Sequence, residues 1–327
     1  MIYFTGANGQ VGFELSRVFS GKNTKPISRA DWDLSVSGDI QRSLAKEKFS
    51  SDDVFIHSGA YTAVDLAEKE SEIAKQVNET STRDLVELAK KHDFFLIYLS
   101  TDFIFGEYEF EKQKLEKNQI RFWRETDKPS PTGAYAETKL LGEQLVSDAI
   151  SKNFIRGKII RTSWVYSSHG KNFPKTILNL LKDEKRNELK VIEDQIGRPT
   201  WAKRIAIVIS EIVEQLERTH SKRNSGSAET SEPSEKAWKD FFVNQTILQI
   251  SNSGIASWYD FAIAIQEIAI SLGILQNQKP ILPIPTEQYP TPAKRPHFSA
   301  MDLEKSRMLF HLPHWREDLE TCLKEMI

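Results

Sequence analysis

The first twenty residues combine a short β-rich run, glycines spaced three residues apart and an amphipathic helical stripe. The run Ile2–Thr5 precedes Gly6, Gly9 and Gly12, and apolar residues at helical spacing follow from Val11. Gly6 suits the tight turn, Gly9 lets the backbone approach a pyrophosphate, and Gly12 lets the helix pack closely on the strand, with its N-terminus facing the anion. The pattern predicts a dinucleotide-binding turn. An ordinary strand–turn–helix unit is the alternative.

Strand-like and helix-like segments alternate over the first half of the chain. Buried strands are predicted near Lys25–Ser28, Asp53–Gly59 and Phe94–Leu99, and a helix is predicted at Ser71–Lys91. This alternation favours an α/β fold with a parallel, doubly wound sheet of the Rossmann type. In the second half, residues 219–237 have few apolar side chains and are predicted to form a mobile insertion.

The segment Pro131–Val146 carries Tyr135 and Lys139 four residues apart at the start of a helical pattern. A nearby ammonium favours the phenolate, so Lys139 is expected to lower the pKa of Tyr135. Such a tyrosine can protonate a carbonyl oxygen as hydride reaches the carbon. The spacing alone arises easily by chance. Its weight comes from Thr101, a hydroxyl at the end of the fourth strand, where open α/β sheets bind ligands; a strand-end cap is the alternative for Thr101.

Residues that follow the second and third strands bear on cofactor choice. Arg29 stands where an acidic residue would bind the ribose hydroxyls of NAD. An arginine there favours the 2′-phosphate of NADPH, with NADH use or a plain surface arginine as the alternatives. Asp33 and Leu34 come next, where a polar and an apolar group can bracket the adenine. The small residues around Ala60 leave room for the sugar–phosphate backbone of the cofactor.

Composition excludes several classes of protein. A net charge of −2 argues against a nucleic-acid partner or a membrane-surface protein. No apolar run reaches the ~18 residues of a membrane span, and the N-terminus enters a strand at once, so neither a span nor a signal peptide is expected. Cys322 is the only cysteine, which excludes an internal disulfide and favours a reducing, cytoplasmic setting. The histidines show no metal-ligand spacing, so no metal-ligating residue is predicted, and the sequence leaves a bound divalent metal undecided.

Eight stretches along the chain resemble the dTDP-4-dehydrorhamnose reductase family of extended short-chain dehydrogenase/reductases. They are GANGQVG (6–12), AYTAVDLAE (60–68), STDFIF (100–105), YAETK (135–139), RTSWVY (161–166), EDQIGRPT (193–200), SWYDFA (257–262) and YPTPAKRP (289–296). The resemblance implies an NAD(P)-binding Rossmann domain at residues 1–165, to which some later segments return. Residues 166–327 would form mainly a smaller α/β domain that binds a nucleotide sugar. It also implies NAD(P)H-dependent reduction of the 4-keto group of dTDP-4-dehydro-L-rhamnose, with a homodimer as one arrangement.

The resemblance also implies roles for individual positions. Thr101, Tyr135 and Lys139 match the catalytic triad, in which the tyrosine donates the proton, the lysine holds the nicotinamide ribose and the threonine orients the substrate oxygen. The binding positions are the phosphate turn (Gly9, Gln10, Val11), the adenine site (Asp33, Leu34), the inner cofactor wall (Ala60, Tyr61, Thr62) and the substrate contacts (Thr101, Asp102, Trp164). Arg295 is a further candidate for a phosphate contact, with a rigid surface turn as its alternative.

Departures from the family pattern keep other functions open. His57-Ser58-Gly59 replaces the usual Asn-Ala-Ala, and Gly133 and Ala136 flank the tyrosine where the family has Asn and Gly. Residues 106–123 form a longer charged segment, expected to cover or flank the site. The alternatives are a reductase of a related dTDP-4-keto-6-deoxy sugar, a non-catalytic NADP-binding regulatory subunit, and an epimerase or dehydratase on the same scaffold. Turnover of NADPH separates a reductase from a binding subunit, and tightly retained NAD would favour an epimerase or dehydratase.

Overall fold

The structure, a computed structural model, describes residues 1–106, 121–225 and 233–327. Its strands are β1 (Ile2–Thr5), β2 (Thr24–Ile27), β3 (Val54–His57), β4 (Phe95–Thr101), β5 (Arg156–Thr162), β6 (Val165–Tyr166), β7 (Leu189–Ile192), β8 (Ile196–Gly197), β9 (Thr200–Trp201), β10 (Ile247–Gln249), β11 (Ala256–Ser257) and β12 (Ile281–Ile284). Its helices are α1 (Gln10–Val18), α2 (Asp39–Ser43), α3 (Val64–Ala67), α4 (Ser71–Lys75), α5 (Ser81–His92), α6 (Ala134–Ser151), α7 (Phe173–Lys182), α8 (Ala202–Ser225), α9 (Pro233–Asn244), α10 (Trp258–Ser271), α11 (Glu304–Arg307) and α12 (Trp315–Lys324). In the described ranges, none of the helices is long and apolar enough to cross a membrane.

Within the described residues, six strands form one parallel sheet. Their order is β10-β5-β4-β3-β1-β2, and each neighbouring pair runs parallel. The order reverses at β1, because β2 lies on one side of it and β3 on the other. In open α/β sheets the crevice beyond the carboxyl ends of the strands at such a point is the usual place for a ligand. The predicted doubly wound parallel sheet is confirmed.

Apolar side chains cover both faces of this sheet, because successive strand residues point to opposite sides. Phe4 and Ile56 join a buried layer that includes α1 and α8. Tyr3 and Phe55 join the layer on the other face, which includes α5 and α6. Because β1, β3 and β4 run parallel, their carboxyl ends meet along one edge of this sheet.

A second buried cluster forms outside the sheet. It contains side chains of α7, α10 and α12 together with the parallel pair β7–β12. Two elements that follow β7 in the chain nevertheless return to the large sheet, one as a strand and one as a covering helix. Strand β10 pairs with β5, and α8 packs in the same layer as α1. The chain therefore passes between the two clusters more than once, and the division near residue 165 stays a prediction.

Three segments differ from their predicted form or lie partly outside the described residues. The helix predicted at Ser71–Lys91 is interrupted by a π-helical turn at Gln76–Thr80, between α4 and α5. The ends of the predicted insertion at 219–237 are helical, because α8 continues to Ser225 and α9 begins at Pro233. The rest of that insertion, and most of the charged segment 106–123, lie outside the described residues.

Candidate active site

The turn after β1 has the tight packing that its glycines predict. Gly6 has a φ of +70°, and a Cβ on Gly12 would lie 2.1 Å from the Gly6 carbonyl oxygen, so α1 can start here only with glycine. The amide of Gly9 donates to the same carbonyl at 2.8 Å. Val11 packs into the sheet layer. Because Gly9 caps α1 without a side-chain hydrogen bond, the first amides of the helix remain for a ligand, which fits a dinucleotide pyrophosphate.

The segment after β6 lies against this glycine turn. Gln10 donates to the carbonyl oxygen of Val165 at 3.4 Å and accepts from the Asn172 side chain at 3.0 Å. The His169 ring stacks on Phe13 with centroids 4.3 Å apart. Gln10 therefore connects the predicted phosphate turn to the second cluster through its side chain.

The predicted adenine residues lie in a polar loop after β2. Arg29, whose side chain is 79% exposed, pairs with Asp33 at 3.2 Å. Asp33 also accepts from the hydroxyl and amide of Ser35, and these hydrogen bonds, with Arg29, lower its pKa. Leu34 packs closely on Gly59, because a Cβ on Gly59 would lie 2.8 Å from the Leu34 Cδ1 atom. The polar and apolar pair is thus present, and the adenine and 2′-phosphate roles stay predictions.

The predicted inner wall after β3 is tied to α6 through Asn78. Ala60 and Tyr61 are partly exposed, and Thr62 is exposed. Asn78 accepts from the Tyr61 amide at 2.9 Å and donates to the Thr138 hydroxyl at 3.1 Å. Asn78 lies in the π-helical turn, which helix propensity does not predict, so no pattern in the sequence marked this residue as functional.

Thr101 and Tyr135 meet where β4 ends beside the start of α6. Both side chains are buried. The Thr101 hydroxyl donates to Asp102 Oδ1 at 3.2 Å and accepts from the Phe103 amide. Burial raises the pKa of Tyr135 to about 12, although the nearby Thr101 hydroxyl acts in the opposite direction. The predicted lowering of the tyrosine pKa is therefore wrong for this structure.

The reason lies in the direction of Lys139. Its ammonium donates to the Tyr98 hydroxyl at 2.9 Å and to the Leu99 carbonyl oxygen at 2.8 Å, both on β4. Only 4% of the residue is exposed, and burial lowers its pKa to about 7 while Glu143 opposes this shift. Burial of both groups therefore outweighs the attraction that their spacing in the sequence suggested.

Asp102 completes the buried polar group at the end of β4. It is 1% exposed, and among the described residues its Oδ2 atom has no hydrogen-bond partner. Burial raises its pKa to about 7, against the effect of the Ser299 and Thr101 hydroxyls. A buried oxygen without a partner is costly unless a ligand or a proton satisfies it, so this carboxyl suits a polar ligand. Across the ranges that the structure describes, no group of three or more His, Cys, Asp or Glu could hold a metal ion.

The other predicted substrate residues have partners within the protein. Trp164, with a φ of +44°, stacks on Trp258 with centroids 3.6 Å apart and planes within 1°. A Cβ on Gly197 would lie 2.5 Å from the Trp164 indole, so this position needs glycine. Arg295 forms a two-pronged ion pair with Asp65 at 3.0 and 2.7 Å. One indole face and much of the guanidinium are thus occupied, and their substrate roles stay predictions.

A buried ion pair close to the site was not predicted from the sequence. Glu143 accepts from Arg161 at 2.6 Å and from the Ser100 hydroxyl, and the charged side chains are 2% and 4% exposed. The sequence does contain a pattern that points to Glu143. It follows Tyr135 and Lys139 at spacings of four residues, which places all three on one face of the helix. An arginine that directly follows the apolar pair Ile159-Ile160 on a central strand also requires a buried acceptor.

Comparisons with known proteins agree with one another. A family model described as the RmlD substrate binding domain matches residues 1–327. A dTDP-4-dehydrorhamnose reductase of Burkholderia thailandensis is 32% identical, covering 100% of this chain and 99% of its own. The enzyme of that name from Escherichia coli K12 is 31% identical, covering 99% and 97%. The structure of a dTDP-4-dehydrorhamnose reductase from Bacillus anthracis in complex with NADP is 27% identical, with a TM-score of 0.77 over 99% of this chain and 98% of that one.

Proposed function

The chain belongs to the RmlD substrate binding domain family, and we propose that it reduces the 4-keto group of dTDP-4-dehydro-L-rhamnose to give dTDP-L-rhamnose, using NADPH. The observation that carries this proposal is the group of Thr101, Tyr135 and Lys139 at the carboxyl end of β4. The glycine turn after β1 lies at the same edge of the sheet. The relatives' names and the NADP-bound neighbour support the same reaction and cofactor, and the predicted family resemblance is confirmed.

The reduction requires a hydride at the carbonyl carbon and a proton at its oxygen. A bound reduced nicotinamide supplies the hydride. Tyr135 supplies the proton in this proposal. Its raised pKa keeps the phenol neutral at physiological pH, so the proton is retained until negative charge develops on the substrate oxygen. The Thr101 hydroxyl, which lies near the phenol, orients that oxygen.

The residues that would hold NADPH follow the same sheet edge. The amides after Gly9 and the Gln10 side chain would meet the pyrophosphate, and Arg29 would meet the 2′-phosphate. Lys139 would hold the nicotinamide ribose. Two of its three N–H groups bond to β4, and within the described ranges the third remains for a ribose hydroxyl. Asp33, with Leu34, would bracket the adenine.

The sugar nucleotide would lie between the end of β4 and the second cluster. Asp102 offers a buried carboxyl oxygen that has no partner in the described part of the chain, which suits a sugar hydroxyl. Trp164 is partly exposed and would offer the sugar ring the part of its indole that Trp258 and Gly197 leave open. Residues 166–327 would therefore supply most of the nucleotide-sugar contacts.

The test is loss of the reduced-nicotinamide absorbance when protein, NADPH and dTDP-4-keto-6-deoxy sugar generated in situ are mixed. We expect oxidation by the natural protein and at least a thousandfold slower rate with Tyr135→Phe, which keeps the ring and removes the proton. The matched control is Tyr3→Phe, another buried tyrosine, on β1. An absence of oxidation while NADPH still binds would refute the proposal and favour a regulatory binding subunit.

A reductase of a related 4-keto-6-deoxy sugar is the second candidate. The turn into α6 depends on glycine, because Gly133 has a φ of +91° and a Cβ there would lie 2.5 Å from Glu68 Oε1. The Ala134 amide donates to that same oxygen. A family asparagine at position 133 would therefore need a different turn beside Tyr135. The stereochemistry of the reduced carbon, read by NMR of the product, separates the two sugars.

A further inference from the structure

The ammonium of Lys139 is held by a tyrosine from the neighbouring strand. Its Nζ atom donates to the Tyr98 hydroxyl at 2.9 Å and lies 4.4 Å from the centre of the same ring. Tyr98 is fully buried. The interaction therefore sits in the interior, where an electrostatic hydrogen bond is stronger than in water.

Helix α6 has no side chain at Gly142, and this leaves room for the Tyr98 hydroxyl. Gly142 follows Lys139 by three residues, and a Cβ on it would lie 2.5 Å from the Tyr98 hydroxyl oxygen and 2.3 Å from the Asn78 carbonyl oxygen. Glycine weakens a helix interior relative to alanine, so its presence here needs a packing reason. The approach of the tyrosine hydroxyl provides one.

The Tyr98 ring is packed against an aromatic neighbour on β3. The His57 ring lies 5.8 Å from it, and Trp32 lies 5.9 Å from His57 on the other side. His57 Nδ1 is hydrogen bonded to the Thr5 hydroxyl at 2.9 Å. Packing of this kind limits the ring to one orientation and so fixes the direction of its hydroxyl.

We propose that Tyr98 is a positioning residue. Its hydroxyl occupies the space beside Gly142 and holds the Lys139 ammonium in place by a hydrogen bond. The inference rests on the proposed function, in which Lys139 holds the nicotinamide ribose. Without this hydroxyl, the Leu99 carbonyl oxygen is the remaining acceptor seen for the ammonium among the described residues. A buried ammonium with fewer acceptors loses its proton more easily.

The charged and titratable surroundings agree with that role. Burial already lowers the pKa of Lys139 to about 7, and Glu143, on the same helix, opposes this shift. His57 faces the group from β3, and burial together with the lysine charge lowers its pKa to about 3, so it stays neutral. Tyr135, one turn earlier on α6, also stays neutral because its pKa is raised. The Tyr98 hydroxyl is therefore a neutral acceptor for an ammonium whose pKa is already low, so the loss of this hydrogen bond should lower the charged fraction of Lys139 further.

The test is the pH profile of turnover for Tyr98→Phe, which removes one oxygen and keeps the ring. A hydrogen bond to a charged group is strong enough to shift a pKa by one unit or more. We expect the alkaline limb of the Tyr98→Phe profile to lie about one pH unit lower than that of the natural protein. Turnover on that limb then falls about tenfold, whereas at acidic pH the two profiles converge. Tyr3→Phe, from the same buried layer, should leave the limb in place. An unmoved limb in Tyr98→Phe would overturn the proposal even if turnover falls.

A binding experiment tests the same inference without turnover. NADPH affinity is measured by fluorescence for the natural protein, Tyr98→Phe, Lys139→Met and the double variant. We expect Tyr98→Phe to weaken binding severalfold in the natural background and to have no effect beside Lys139→Met. Equal effects in both backgrounds would overturn the positioning role. Normal coupling in binding without any keto-sugar reduction would instead count against the proposed function alone.

Discussion

Removing the Glu143 carboxylate should destabilise the protein strongly, because it leaves the Arg161 guanidinium buried without its counter-ion. Arg161 makes three contacts to Glu143, between 2.6 and 3.2 Å, and one to the carbonyl oxygen of Glu125. Breaking a buried ion pair by removing one partner costs about 3–5 kcal/mol. The Ser100 hydroxyl also loses its acceptor, which adds about 1 kcal/mol. We therefore expect Glu143→Leu to lose about 4–6 kcal/mol of unfolding free energy.

The double variant separates the loss of the pair from the cost of the unpaired charge. Replacing both partners by apolar residues of similar size is often close to neutral, so Glu143→Leu with Arg161→Met should lose about 2 kcal/mol or less. The control is the exposed pair Lys324–Glu320 on α12. Alanine at either control position should change stability by less than about 1 kcal/mol.

The assay is urea unfolding followed by far-ultraviolet circular dichroism, with all variants at the same pH and salt. The stability differences come from the midpoints with a shared slope. A cost below about 1 kcal/mol for Glu143→Leu would refute the reasoning, because it would mean that water or another acceptor satisfies Arg161. A double variant that loses the sum of the two single losses would refute it as well.

Three further predictions concern the cofactor half. Gly12→Ala should cost about 3 kcal/mol and at least tenfold in NADPH affinity, since its Cβ would meet the Gly6 carbonyl oxygen at 2.1 Å; unchanged melting and fluorescence titrations would contradict this. Burial lowers the pKa of His57 from 6.5 to about 3, so the unfolded chain binds a proton there first and stability should fall as pH drops through that window. His57→Asn should flatten this fall in urea unfolding, and an unchanged slope would argue against the buried histidine as its source. Arg29→Asp should raise the NADPH Kd about tenfold relative to the NADH Kd, whereas an unchanged ratio would remove the 2′-phosphate contact.

Local patterns in the sequence predicted the elements whose structure depends on neighbouring residues. The glycines at 6, 9 and 12 predicted the turn, because φ angles and Cβ clashes are decided within a few residues. Ser257 caps α10 in a capping box with Asp260, an arrangement that depends on two residues three positions apart. The alternation of strand and helix predicted the parallel sheet, because a parallel connection needs a crossover helix. The position of Thr101 at a strand end and the spacing of Tyr135 and Lys139 follow from the same local rules.

Tertiary structure alone decided where the functional side chains point and what surrounds them. Lys139 bonds to Tyr98, 41 residues earlier, and Arg295 bonds to Asp65 across 230 residues. Such contacts depend on which strands pair and on which helix crosses them, and no local pattern contains that information. The protonation states of Tyr135 and Asp102 follow from burial in the same way. Burial is a property of the packed core, so the sequence determined which chemical groups are present, and packing decided their charge.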